Sequence, residues 1–153
     1  MRRIALSVAV LAVVAPLVVP GSAGAAATRA EYVAQADPFC EDANGDIARL
    51  NKKFRRLKGA AKFKAAGNVL RKTGTRLSNS IQQVRAITPP PGDEQLIARW
   101  LALIEKIAAN NVKMGAAMAK ARFGKVKQFQ RSNSGLQRKA HGLVAAFGFS
   151  SCA

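Results

Sequence analysis

The chain contains two cysteines, and the second of them, Cys152, is its penultimate residue. The first, Cys40, lies in a segment of helical pattern that runs over about residues 28–57. If the two pair, most of the chain lies inside one covalent loop, which chain-entropy reasoning values at roughly 4–5 kcal/mol. Two unpaired buried thiols, or a disulfide between chains, are the alternatives. We expect the intramolecular bridge, because the start of the chain predicts export to an oxidising compartment.

Residues 1–27 have the pattern of a signal peptide. Arg2 and Arg3 supply the positive start, and the apolar run 4–19 is about 16 residues long, shorter than the roughly 20 that a spanning helix needs. Small residues follow, with cleavage patterns that end at Ala25 and Ala27. An uncleaved anchor is the alternative. We expect cleavage, which leaves a single domain over residues 28–153 in a monomeric protein that is secreted or associated with the cell envelope.

Beyond residue 27, four segments carry small and apolar residues in steps of three and four, the spacing of helices that pack against other helices. They cover residues 28–57, 60–87, 93–121 and 126–147. Their short connections predict an all-α fold, an up-down-up-down four-helix bundle closed by one disulfide. The inward-facing positions are Val33, Ala36, Cys40, Ala43, Ile47, Leu50, Phe54 and Leu57, then Phe63, Ala66, Leu70, Thr73, Leu77, Ile81 and Val84, then Ile97, Trp100, Ile104, Ile107, Asn111, Met114, Met118 and Ala121, and finally Val126, Phe129, Asn133, Leu136, Ala140, Leu143 and Phe147.

Several residues mark where these helices begin and end. Thr28 and Glu31 match a capping box. Pro38 either kinks a helix that starts at Thr28 or occupies the first turn of one that Asp37 caps. Residues 88–92 end the second helix with three prolines, and Asp93 is placed to cap the third.

The interior of the second helix and the end of the fourth carry glycines. Gly67 and Gly74 weaken the intrinsic helix propensity of the second segment. A break near Gly124 precedes the fourth segment, and Gly148 is placed to end it.

No local motif nominates a catalytic, metal or cofactor site. Asp42 and Asp46 resemble the opening of a calcium loop, but Ile47 and Lys53 stand where that loop requires glycine and glutamate. His141 is the only histidine. We therefore expect a protein that is not an enzyme and holds no cofactor, with an enzyme built on a non-local site as a distant alternative.

Basic residues provide the positive functional indication. The formal charge is +17, and +15 once Arg2 and Arg3 are removed. Such a surface attracts anionic polymers of the cell wall, phospholipid headgroups or, less favoured, nucleic acid. The alternative is that the basic residues form a solvated surface that keeps the protein soluble and binds no polyanion. The candidate residues for polyanion binding are Lys52, Lys53, Arg55, Arg56, Lys58, Lys62, Lys64, Arg71, Lys72, Lys125, Lys127 and Arg131.

Three stretches carry a resemblance: YVAQADPFC at 32–40, TPPPGDE at 88–94 and GFSSC at 148–152. The chain resembles small secreted actinobacterial helical proteins of no assigned function, which have one cysteine early in helix 1 and one at the C-terminus. The resemblance implies a helical fold with this arrangement of cysteines and no particular activity.

Two functions from different classes remain. The first is non-enzymatic binding of anionic envelope polymers or other polyanions through the basic surface. The second is the carriage of a small ligand inside the bundle, near Trp100, Met114 and Met118. Sensitivity of binding to salt distinguishes them, because only the first depends on exposed charge.

Overall fold

The computed structural model describes residues 28–55 and 61–152, which form four α-helices. They are α1 (Arg29–Arg55), α2 (Ala61–Arg85), α3 (Glu94–Ala119) and α4 (Phe123–Val144). The predicted helices are thereby confirmed, each within a few residues of its expected bounds. The predicted signal peptide at 1–27 lies outside the described residues, as do Arg56, Leu57 and Lys58, and so do the side chains of Lys53 and Phe54.

Consecutive helices pack against each other in antiparallel pairs. The Ser80 hydroxyl of α2 donates to the Phe39 carbonyl oxygen of α1 at 3.0 Å, and the Arg76 guanidinium reaches Asp46 at 3.0 Å. Rising residue numbers on α1 therefore meet falling numbers on α2. Gly67 and Gly74 of α2 lie against Gly115 and Ala108 of α3, which shows the same reversal. Asn110 of α3 meets Asn133 of α4, while Lys106 and Lys139 line one pocket, so α3 and α4 also run in opposite directions. The predicted all-α four-helix fold is confirmed.

The bundle is open between its first and last helices. Among the described residues, no Cα atoms of α1 and α4 approach within 8 Å of each other. The segment after α4 crosses this gap and is bonded to α1 by the predicted Cys40–Cys152 disulfide, whose Cα atoms lie 5.2 Å apart. The covalent bond thus joins the two edges that helix packing leaves separate.

Aromatic side chains fill the end of the bundle where the C-terminal segment returns. Phe149 stacks on Trp100 with ring centroids 5.2 Å apart, and it meets Tyr32 edge-on at 6.2 Å. Phe147 stacks on Phe149 at 5.7 Å. Tyr32 and Trp100 are both almost fully buried, and burial raises the pKa of the Tyr32 hydroxyl to about 12. The inward positions predicted for α1 omitted Tyr32, which in the structure belongs to the core.

Thr28 and Asp93 stand at the starts of α1 and α3, as predicted, but only Thr28 makes a capping hydrogen bond. The Glu31 backbone N–H donates to the Thr28 hydroxyl at 3.2 Å, and that hydroxyl donates to the Glu31 carboxylate at 3.0 Å. Asp93 stands at the start of α3, but its carboxylate accepts two hydrogen bonds of 2.7 Å from Arg29 and makes no cap bond. The hydrogen bond from Arg29, supported by its charge, lowers the pKa of the Asp93 carboxyl. This pair therefore holds the start of α1 against the start of α3.

Three boundary predictions are settled by the structure. Helix α1 runs continuously through Pro38, so the interpretation in which Asp37 caps a later helix is wrong. Helix α4 begins at Phe123, so the break precedes Gly124 and that glycine lies inside the helix. Gly148 has a φ of +83°, the left-handed conformation expected of a glycine after a helix end.

Asp37 is free to bind the C-terminal segment because it does not cap a helix. Its carboxylate accepts hydrogen bonds from the backbone N–H groups of Ser150 at 2.8 Å, Ser151 at 3.1 Å and Cys152 at 3.1 Å. The Ser150 hydroxyl donates a further bond of 2.7 Å. Burial alone raises the pKa of the Asp37 carboxyl, but these hydrogen bonds outweigh it and the net pKa is lowered. A carboxylate therefore fixes the segment on which the disulfide depends.

Replacing this carboxylate by an amide will loosen the C-terminal segment. We expect Asp37→Asn to lower the free energy of unfolding at neutral pH by about 1–2 kcal/mol, since hydrogen bonds to a charged acceptor are stronger than neutral ones. Chemical unfolding of the two proteins measures the difference. Asp42→Asn, on the exposed face of α1, is the matched control and should change stability little.

The contribution of Asp37 to the free energy of unfolding should depend on pH. Because the folded pKa of Asp37 is lowered from 3.8, its stabilising contribution is present above about pH 3.8 and is lost as the pH falls through the folded value. The difference between the original protein and Asp37→Asn should therefore shrink in acid. A difference that stays constant down to strongly acid pH would contradict this role of the carboxylate.

Candidate functional site

The charges of the described residues are divided along the long axis of the bundle. The half that contains the α1–α2 and α3–α4 connections is called the basic half; it comprises residues 50–55, 61–75 and 108–134. Contact between Phe63 and Phe123, with ring centroids 5.4 Å apart, shows that the two connections lie together. The lysines and arginines of this half are Lys52, Lys53, Arg55, Lys62, Lys64, Arg71, Lys72, Lys113, Lys120, Arg122, Lys125, Lys127 and Arg131.

All eight acidic residues of the chain lie in the opposite half. The four ion pairs found among residues 28–55 and 61–152 all use carboxylates of that half. Asp46 pairs with Arg49 and with Arg76, and Glu105 pairs with Arg85 at 3.0 Å. Fixed negative charge that would offset the basic residues is therefore concentrated away from the basic half.

The structure brings together every predicted polyanion-binding residue that it describes. Those on α1 and α2 and those on α4 belong to the same half, although about sixty residues separate them in sequence. Apart from Lys53, whose side chain is not described, all are exposed. The prediction missed Lys113, Lys120 and Arg122, which the antiparallel course of α3 carries to the same end. Their sequence signal was present, as basic residues with no acidic neighbour between Lys106 and Lys139.

Two aromatic rings are exposed in the basic half. Phe63 was predicted to face inward, and this is wrong: it is 51% exposed, and Phe123 is 50% exposed. The two rings meet edge to face, with their planes inclined at 64°. Phe63 lies in the first turn of α2, and its contact with Phe123 leaves about half of the residue exposed. Lys62, Lys64, Arg122 and Lys125 flank the pair in sequence, so apolar and cationic groups occur side by side.

A cleft of about 490 Å³ lies mainly in the other half, where α1 and α4 are separated, and its lining reaches Thr73 and Asn111 at the border of the basic half. All four helices and the C-terminal segment contribute to its lining, and so does the Cys40–Cys152 disulfide. Of the residues predicted for an interior ligand site, Trp100 lines the cleft. Met114 and Met118 do not line it; both are half-buried further along α3, in the basic half.

Three asparagines form a relay between α3 and α4 beside this cleft. The Asn110 amide nitrogen donates to the Asn133 side-chain oxygen at 2.9 Å. The Asn133 amide nitrogen in turn donates to the Asn111 oxygen at 2.8 Å. Asn133 is buried, and Asn111 lines the cleft. The relay therefore occupies the oxygen of Asn111 and leaves its amide nitrogen as the available donor.

Within the described ranges, no group of three or more histidine, cysteine, aspartate and glutamate side chains is arranged to hold a metal ion. His141, the single histidine, is exposed at the margin of the cleft. None of the four helices is long and apolar enough to cross a membrane.

Comparison of the chain with protein-family models, with curated proteins and with solved structures finds no match. The charge distribution of the basic half and the chemistry of the cleft are the two features of the structure that indicate a function.

Proposed function

We propose that the protein is exported, that residues 1–27 are removed as a signal peptide, and that the mature chain binds anionic envelope polymers through its basic half without catalysing a reaction. The observation that carries this proposal is the separation of charge along the bundle. Cations on four helices converge on one end, while every carboxylate of the chain lies in the other half.

The physical basis is the release of counterions. A polyanion keeps condensed cations along its backbone, and a protein that neutralises several of its phosphates releases them to solution. Lysine and arginine side chains spread over one end of a rigid bundle contact a flexible polymer without needing a shaped pocket. The disulfide fits an oxidising location such as the envelope, which supports export.

The exposed Phe63 and Phe123 rings add an apolar contact to this surface. Aromatic faces beside cations also suit nucleotide bases and the boundary between lipid headgroups and acyl chains. A wall polymer with a phosphate backbone is favoured here because it needs only the cations, which outnumber the two rings. Binding to single-stranded DNA or to anionic vesicles, with none to the polymer, would replace this choice of partner.

A salt series tests the proposal. The mature protein should bind inorganic polyphosphate of long chain length, and its affinity should fall at least about 100-fold between roughly 50 and 200 mM NaCl. The measurement is fluorescence anisotropy of labelled polymer, with uncharged dextran as the control ligand. Polyphosphate affinity that does not weaken with added salt, or no binding at low salt, would contradict the proposal.

A further inference from the structure

The cleft between α1 and α4 has the size and the lining of a small-molecule site. Its volume of about 490 Å³ falls within the roughly 300–1,000 Å³ that such sites span. Ile81, Trp100 and Ile107 form buried parts of the lining, and Ala43 of α1 and Ala140 of α4 face the same space from its two sides. Small side chains on both edges keep the space open between helices that make no close backbone contact.

The charge of the lining limits what can bind. No aspartate, glutamate, lysine or arginine is found among the residues that line the cleft, although the chain is strongly basic. A charged ligand group buried there would lose its hydration without gaining an opposite charge, which is costly. The interior therefore selects an uncharged molecule with an apolar body.

Hydrogen-bond donors at the cleft restrict the chemistry of the ligand further. The asparagine relay leaves the amide nitrogen of Asn111 as a donor at the cleft wall. Trp100 also lines the cleft, and its buried indole N–H has no acceptor among the described residues. Asn111 is half-buried, so an acceptor on a ligand would replace water as the partner of its amide nitrogen.

We propose that the cleft binds a small uncharged molecule that combines an apolar body with a hydrogen-bond acceptor such as a carbonyl or ether oxygen. The site is distinct from the polyanion surface, since no lysine or arginine lines the cleft. Trp100 belongs both to this site and to the ligand site expected from the sequence. Asn111 and the disulfide line the cleft, whereas Met114 and Met118 do not.

The probe for this site is N-phenyl-1-naphthylamine, a neutral dye whose fluorescence rises in apolar surroundings. Trp100 is the only tryptophan, so energy transfer from it to the dye reports binding near the cleft. We expect saturable binding of one dye per protein, with an affinity that changes by less than about twofold between 50 and 500 mM NaCl because no charge is involved. This insensitivity separates the cleft from the polyanion surface, so either proposal can fail while the other stands.

A matched pair of substitutions locates the binding. Ala140→Phe places a ring in the cleft and should weaken dye binding at least tenfold, whereas Ala109→Phe adds the same ring on the exposed face of α3 and should leave it unchanged. If Ala140→Phe loses helical circular dichroism, Ala43→Leu narrows the cleft from the α1 side. Absence of saturable dye binding, or equal binding by the folded cleft variant and by Ala109→Phe, would overturn the proposal.

Two ligands, of which only one carries a carbonyl group, test whether a hydrogen-bond acceptor strengthens binding in the cleft. Once the affinities are corrected for the different partition of the two ligands into octanol, the protein should bind 2-acetylnaphthalene about fivefold more tightly than naphthalene. The reason is that the carbonyl group gains one hydrogen bond. Asn111→Leu should abolish this preference and retain naphthalene binding. A preference that survives Asn111→Leu would overturn the assignment of Asn111 as the donor.

Discussion

Replacing both Cys40 and Cys152 by serine should lower the free energy of unfolding by about 4–5 kcal/mol, because the bridge closes a loop with a sequence separation of 112. The loss is a large fraction of the roughly 5–15 kcal/mol that stabilises a domain of this kind. Denaturant unfolding of the oxidised protein and the double variant measures it. Serine at both positions avoids leaving one free thiol.

The local consequences follow from where the bridge lies. Helices α1 and α4 make no close backbone contact, so the C-terminal segment is held by the disulfide, by Asp37 and by the packing of Phe147 and Phe149. Without the bridge, Phe149 should leave Trp100 more often, and the tryptophan emission should shift to the red. Reductant should produce the same changes in the original protein and none in the double variant. Unchanged stability after reduction would contradict the role of the bridge.

Gly74→Ala should destabilise the protein by about 2–3 kcal/mol, although alanine favours an isolated helix by about 1 kcal/mol over glycine. A Cβ atom at this position would lie 2.5 Å from the Ala108 carbonyl oxygen and 2.8 Å from the Val112 side chain. The backbones of α2 and α3 can approach this closely only where no side chain intervenes. Seven residues earlier in α2, a Cβ atom added at Gly67 would likewise lie 2.6 Å from the Gly115 carbonyl oxygen.

Gly135→Ala is the matched control, since a Cβ atom there would meet nothing within 4 Å. It lies inside α4 and should stabilise the protein by up to about 1 kcal/mol. The two substitutions are chemically identical and are expected to have opposite signs. Thermal unfolding of both measures them side by side. If Gly74→Ala stabilised the protein as Gly135→Ala does, the close crossing of α2 and α3 would be contradicted.

The helices and their order could be predicted because each helix carries its signal within its own sequence. Apolar steps of three and four place Ile81, Trp100 and Ala140 on inner faces, and all three are buried. The cysteine pair could be predicted because the bundle topology brings both ends of the loop together. Such features depend on periodicity and connectivity, which a single chain displays directly.

Features that depend on how two helices meet could not be predicted in the same way. Gly67 and Gly74 weaken α2 when it is considered alone, and their benefit emerges only where α3 crosses. The sequence left open whether Asp37 caps a helix, because its real partners, the N–H groups of residues 150–152, are remote in sequence. Phe63 has the spacing of a core residue, yet its contact with Phe123 leaves it 51% exposed.

The same distinction between sequence pattern and helix packing applies to the two candidate sites. Clusters of basic residues in sequence predicted most of the basic half, since runs without acidic residues are visible in the chain. Lys113, Lys120 and Arg122 lie in such a run as well, but their place beside the cations of α2 follows only from the antiparallel packing of α2 and α3. The cleft results from a gap between α1 and α4, and a periodic pattern contains no information about which pair of helices stays apart.

A comparison of two charge variants tests the central claim, that anionic polymers bind the basic half rather than the whole basic surface. One variant carries Lys64→Gln, Lys120→Gln and Arg131→Gln, and the other carries Lys106→Gln, Lys139→Gln and Arg138→Gln. Each removes two lysines and one arginine, all exposed, and each lowers the net charge equally. The measurement is the affinity for polyphosphate across a series of salt concentrations.

The first variant should bind at least about tenfold more weakly at low salt, and the slope of the logarithm of affinity against the logarithm of salt concentration should fall by about 2–3. The second should change the affinity by less than about threefold and the slope by less than about 1. Equal losses in the two variants would show that binding follows net charge alone, and would contradict a binding surface in the basic half.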